Sequence, residues 1–141
     1  MTKINGACHC GTVRFRAYLD RGLESARRCT CTFCRMRGAI AVSAPIDGFE
    51  ILEGEDALTT YTFNTGKAQH YFCSHCGIYT HHLRRSNQNE YGVNVACLEN
   101  ISPFDFEKIL VIDGINHPTD DPDRKGPRID GTLHYVRNDH D

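Results

Sequence analysis

A chain of 141 residues, 40% hydrophobic and without tryptophan, holds apolar material for one modest core and little for a second. Sixteen basic against eighteen acidic residues leave a net charge of −2, which argues against the basic footprint that nucleic acid or an anionic membrane surface requires. No run approaches the roughly 18 apolar residues of a membrane-spanning helix, and the opening MTKINGACHC carries no apolar signal segment, so the expectation is a soluble, cytoplasmic protein whose cysteines act as ligands or catalysts.

In chain order, residues 12–18 (TVRFRAY), 39–43 (AIAVS), 49–52 (FEIL) and 58–63 (LTTYTF) are short, rich in β-branched and aromatic residues, and partly alternate at period two. They are predicted strands. Turn signals separate them at 20–22, 44–48, 54–56 and 64–66. Further strands are predicted at 69–72, 78–83, 91–96 and 108–113. Helix is confined to a turn around 32–36 and a short piece after Ser102, where Ser-Pro supplies an N-cap and first helical position. Beyond His117 the run PTDDPDRKGPR reads as a surface loop, and GTLHYV at 131–136 as a strand able to dock last. The organisation is thus an all-β domain over 1–117 with short connecting helices only, followed by a loop and tail over 118–141.

Of the eight cysteines, seven fall into three tight clusters: Cys8 with Cys10, Cys29 with Cys31 and Cys34, and Cys73 with Cys76. Zinc takes four ligands in a tetrahedron, and a C-x-x-C turn offers two sulfurs to one ion with little backbone strain. Seven thiolates divide into four plus three. The two pairs, Cys8/Cys10 and Cys73/Cys76, complete a closed structural shell that ties together segments about 65 residues apart. Gly77 after Cys76 suits the tight turn. Cys29, Cys31 and Cys34 lie within six residues and leave a fourth position open, as catalytic zinc requires, so two Zn2+ per chain are expected. An open thiolate-rich site suits an incoming thiol. Two alternatives stand beside it: a histidine completes a second structural site, or the trio is metal-free and exchanges disulfides.

Cys97, alone in NVACLEN, reads as core filler. His9 and His75 sit inside the ligand clusters as exposed loop residues, while His70, His81 and His82 flank the second knuckle as a fourth ligand, a base or scaffold. Arg27, Arg28, Arg35 and Arg37 bracket the trio. They are either a solvated face or a basic rim that lowers thiol pKa values and attracts a carboxylate-bearing thiol such as glutathione, with Arg35 a candidate to orient it.

In order and spacing, GACHCGTVRF, CTCTFCR and HYFCSHCGIY resemble the glutathione-dependent formaldehyde-activating enzyme family, whose domain also occurs in a centromere-associated protein; the resemblance runs from about Gly6 to about His117. It implies stacked antiparallel sheets, a β-tent. It further implies a structural zinc on Cys8, Cys10, Cys73 and Cys76, a catalytic zinc on Cys29, Cys31 and Cys34, and carbon–sulfur lyase activity that condenses formaldehyde with glutathione reversibly. The resulting expectation is a zinc-dependent carbon–sulfur lyase acting on a thiol adduct. Its rivals are a zinc-stabilised protein-binding module and a thiol redox or metal-handling protein.

Overall fold

In the segment RFRAYL every second side chain is apolar, and the computed structural model, which describes residues 2–116 and 128–139, buries Phe15, Ala17 and Leu19 completely while Arg14 faces solvent. That alternation fixes one face of strand β2 (Arg14–Leu19) inward. Antiparallel neighbours β1 (Thr2–Ala7) and β5 (Phe49–Glu53) complete a three-stranded sheet, with β2 in the centre.

The second sheet has eight strands among the described residues. At its middle, β4 (Ala41–Pro45) pairs with β9 (Glu90–Asn94), and outward from β9 come β8 (Tyr79–Leu83), β7 (Gln69–Cys73) and β6 (Leu58–Tyr61). On the other side lie β3 (Arg27–Cys29), β10 (Lys108–Ile112) and β11 (Ile129–His134). Neighbours run antiparallel except β10 and β3, which run parallel and set Ile112 beside Cys29.

The two sheets share one core. Phe15, Leu19, Val42, Val93, Val95, Leu98 and Ile109 form its buried centre, and Phe49 of the small sheet stacks on Phe15 at 5.0 Å and on His81 of the large sheet at 4.3 Å. A satellite cluster of Cys8, Val13, Ala57 and Cys73 packs apart from it. Burial of these side chains supplies the main driving force, at about 1.5–3 kcal/mol for each large one.

The architecture is therefore all-β, in stacked and nearly all antiparallel sheets. The helical pieces are brief: α1 (Thr32–Arg37), and 3-10 turns such as Pro103–Asp105, where Ser102 and Asp105 form a reciprocal capping box. β9 stops at Asn94, short of the expected 96, because the Asn94 side chain accepts a hydrogen bond from Ala96 N and turns the chain into a 3-10 turn. The loop expected after His117 falls outside the described residues. No helix among those described is long and apolar enough to cross a membrane.

Candidate metal centres

Two hairpin-like knuckles bring the first four cysteines together. In each, the first cysteine's N–H donates to a carbonyl five residues on (Cys8 to Val13, 3.1 Å; Cys73 to Ile78, 3.0 Å), and a glycine after the second cysteine donates back to the first (Gly11 to Cys8, 3.1 Å; Gly77 to Cys73, 2.8 Å). Gly11 and Gly77 hold φ at 80° and 76°, the left-handed region where a side chain is strained. The four sulfurs lie within 4.8 Å of one another. Cys10 Sγ is 3.7 Å from Cys8 Sγ and 3.8 Å from Cys73 Sγ. Thiolates at the vertices of a zinc tetrahedron, about 2.3 Å from the metal, stand about 3.8 Å apart. The donor set thus fits a zinc ion. His9 and His75 are exposed beside it, and His75 Nδ1 lies 3.4 Å from Thr12 Oγ1.

The other three sulfurs also converge within 4.8 Å. Cys29 ends β3, Cys31 is the N-cap of α1, and Cys34 sits one turn later, so a strand end and a single helical turn suffice to gather them. Backbone N–H groups support two of the sulfurs: Cys31 N donates to Cys29 Sγ at 3.4 Å, and Cys34 N to Cys31 Sγ at 3.3 Å. Arg37 Nη2 donates to Cys34 Sγ at 3.7 Å. The trio titrates unevenly. Hydrogen bonds from the Cys29 and Cys34 side chains hold the Cys31 thiol far below its ordinary value; in return the Cys29 thiol moves up, chiefly through its bond to Cys31, and the Cys34 thiol moves up through its bonds to Cys29 and Cys31. Three half-buried thiols that cannot all ionise side by side are a donor set suited to a dication. No histidine or carboxylate among the described residues groups with either set.

The trio is walled by a loop that arrives from the far end of the sequence. Thr30 N donates to Ile112 O at 3.0 Å, and Gly114 N to Thr30 Oγ1 at 3.0 Å. A Cβ at Gly114 would overlap Cys29 Sγ and stand 2.9 Å from Cys31 Cβ, so only glycine leaves the sulfurs in place. Asp113, 3% exposed, holds this loop by accepting from Asn116 N and Ile115 N, both at 3.0 Å, and from Arg128 Nη2 at 2.6 Å. The Asn116 and Ile115 N–H groups and Arg128 keep its carboxyl near about 2.

A cleft of about 550 Å3 lies between α1 and strands β7 and β8, lined by Phe33, Met36, Arg37, Tyr61, His70 and Tyr79 among others. Arg37 joins it to the trio. Its guanidinium lies 3.8 Å from the Tyr79 ring centroid and places Nη1 2.9 Å from His70 Nδ1. Burial and Arg37 together push the His70 imidazole down to about 4. His81 is buried between the sheets and pushed down to about 3 by that burial; His82 shares a 2.6 Å hydrogen bond with the Tyr79 hydroxyl.

Each candidate from the sequence can now be placed. The cysteines gather in the four and three of the spacing argument. Arg35 is exposed, whereas Arg37, two residues on, reaches the sulfur and the cleft. Cys97 is buried, its thiol donating to Tyr79 O at 3.5 Å and pushed up to about 12 by burial. Asp113 and Gly114 were invisible as site residues: only the Asp-Gly pair marks them, and it reads as a turn.

Comparison with known proteins accords with this geometry. The family described as glutathione-dependent formaldehyde-activating enzyme matches residues 3–109. The chain is also similar to a Rhodobacter sphaeroides protein of known crystal structure, at 50% identity and a TM-score of 0.75, over 76% of this chain and 98% of that one.

Proposed function

The chain belongs to the glutathione-dependent formaldehyde-activating enzyme family, and on that premise we propose that it is a zinc-dependent carbon–sulfur lyase acting on a glutathione-like thiol adduct in the cytoplasm. The observation that carries the reading is the convergence of Cys29, Cys31 and Cys34 with no fourth side-chain ligand among the described residues. In this reading zinc on Cys8, Cys10, Cys73 and Cys76 is structural, and zinc on the trio supplies the Lewis acidity that favours a thiolate over a thiol.

The reaction is addition and its reverse. The thiol gives up its proton, a sulfur lone pair forms the C–S bond to a carbonyl carbon, and the C=O π pair moves to oxygen, which takes up a proton as hydroxyl. Reversal restores C=O and releases the thiol. The chain's own residues hold the sulfur end: the Cys31 and Cys34 N–H groups and Arg37 Nη2 fix the trio's sulfurs. Arg28 and Gly38 line a second cavity of about 450 Å3, and the Arg28 guanidinium, beside Gly38, suits a carboxylate of a glutathione-like thiol.

Metal analysis is expected to give two zinc ions per chain. Cys31→Ser and Cys34→Ser should keep the fold and one zinc while losing turnover of the glutathione–formaldehyde adduct. A folded double variant that turns the adduct over at the parental rate would overturn the proposal.

A further inference from the structure

Arg21 and Arg84 share Glu90, Arg14 reaches Glu53, Arg128 reaches Asp113 and Arg137 reaches Asp105. Arg37, half-buried at the end of α1, meets no carboxylate among the described residues. Neutral groups hold its guanidinium instead. It lies 3.8 Å from the Tyr79 ring centroid and 4.8 Å from that of Phe33. Nη1 stands 2.9 Å from His70 Nδ1, and because a guanidinium only donates, the imidazole accepts there. Burial and Arg37 keep that imidazole neutral near pH 7, and burial pushes the Tyr79 phenol up, so neither adds a charge. The other terminal nitrogen is aimed at the trio, where Nη2 donates to Cys34 Sγ at 3.7 Å.

A cation half removed from water and boxed in by rings and an imidazole is costly unless an anion faces it. The group it faces is a cysteine sulfur, which is anionic only as thiolate. The charge count at the trio runs the same way. Three thiolates and a dication sum to one negative charge, and a thiol that enters as thiolate makes two. Each further negative charge at such close quarters resists the next. A guanidinium fixed beside one of these sulfurs offsets one of them, and arginine does not lose its proton in doing so.

We propose that Arg37 is a positioning residue that supplies the counter-charge of the trio: acting through Cys34 Sγ, it makes the open position select an anionic sulfur over a neutral ligand. The inference rests on the lyase reading for a metal on the trio and a thiol beside it, and adds the residue that sets the preference. His70 Nδ1 and the Tyr79 and Phe33 rings serve it by holding the guanidinium in place.

The test uses cobalt-loaded protein, in which sulfur-to-metal charge-transfer absorption reports each thiolate that binds. The probe is 2-mercaptoethanol, which has no carboxylate for an arginine to clamp. Arg37→Met, similar in length and uncharged, should bind the probe at pH 7 about tenfold more weakly than the parent, the effect of losing one charge-assisted hydrogen bond. It should also hold the trio's metal against a chelator about 10- to 100-fold less tightly, while the four-cysteine set keeps its own. Arg37→Lys, which retains the charge without the fork, should recover part of the probe affinity. Independently of any variant, the nitrogen-15 signals of the Arg37 guanidinium in the zinc-loaded parent should move when the probe is added. Parental probe affinity in Arg37→Met, Arg37→Lys no better than Arg37→Met, or Arg37 signals that ignore the probe each overturn the inference. So does a loss seen with glutathione and absent with 2-mercaptoethanol, which makes Arg37 a carboxylate clamp. Arg37-dependent probe binding in a protein that turns over no adduct keeps this inference and sinks the lyase reading. Adduct turnover with Arg37-independent probe binding does the reverse, and a parent that takes up a single cobalt overturns both.

Discussion

A methyl group at position 114 would press on Cys29 Sγ and on the Cys31 main chain, in a loop pinned by buried Asp113. Gly114→Ala is therefore expected to leave the sheets intact and to lower the zinc content from two per chain toward one, measured by metal analysis beside circular dichroism; unchanged stoichiometry would refute the wall. The grouping of the cysteines into a four and a three was legible in the sequence because the geometry of C-x-C and C-x-x-C is local, set by turns of a few residues. Arg37 was legible only as one of four arginines. What distinguishes it from Arg35 is the helical phase of α1, which points residue 37 and not 35 at Cys34 and His70. Asp113 and Gly114 act through a contact 84 residues distant in sequence, and no local pattern records such an approach.

At the scale of the element, the β7 and β8 pair carries three imidazoles, with His70 opposite His82 and Tyr71 opposite His81. His81 stacks on Tyr71 at 4.5 Å and on Phe49 of the other sheet at 4.3 Å, and burial holds it neutral down to about 3. In the unfolded chain the same ring takes its proton near 6.5. The unfolded state thus binds the extra proton first, and stability fully present above about pH 6.5 is lost as pH falls toward about 3, by up to ~1.4 kcal/mol per pH unit for each such ring. His81→Phe should flatten this acid limb in denaturant titrations at pH 7, 6 and 5. An unchanged slope would show that His81 does not carry it. Most strands were legible because alternation marks any half-buried strand. β1 escaped because TKINGA has no such alternation and is held by pairing along β2, and β3 because three residues, RRC, carry no period.

For the molecule as a whole, the zinc proposed on the first four cysteines would clip together segments 63 residues apart, seated in a satellite cluster separate from the main core. Structural zinc contributes about 10–16 kcal/mol in small metal domains, comparable with or above the net stability of about 5–15 kcal/mol of an ordinary domain. Cys76→Ser should accordingly unfold the chain or lower its melting temperature by tens of degrees, whereas Cys34→Ser should shift it little; equal melting curves would contradict the division of labour. The all-β class was legible from composition and strand rhythm. The parallel pairing of β3 with β10 was not, since direction is decided by where the chain returns. That pairing also has a consequence for biosynthesis. Cys29, Cys31 and Cys34 emerge from the ribosome early, but Gly114, which closes over them, is made 84 residues after Thr30. At about 5–20 residues per second the delay is roughly 4–17 s. For that interval the nascent trio stands without its wall, open to whichever soft metal arrives first, and copper binds thiolates more tightly than zinc. Correct metallation is then a matter of timing and supply during translation, decided before the finished fold can exert any choice.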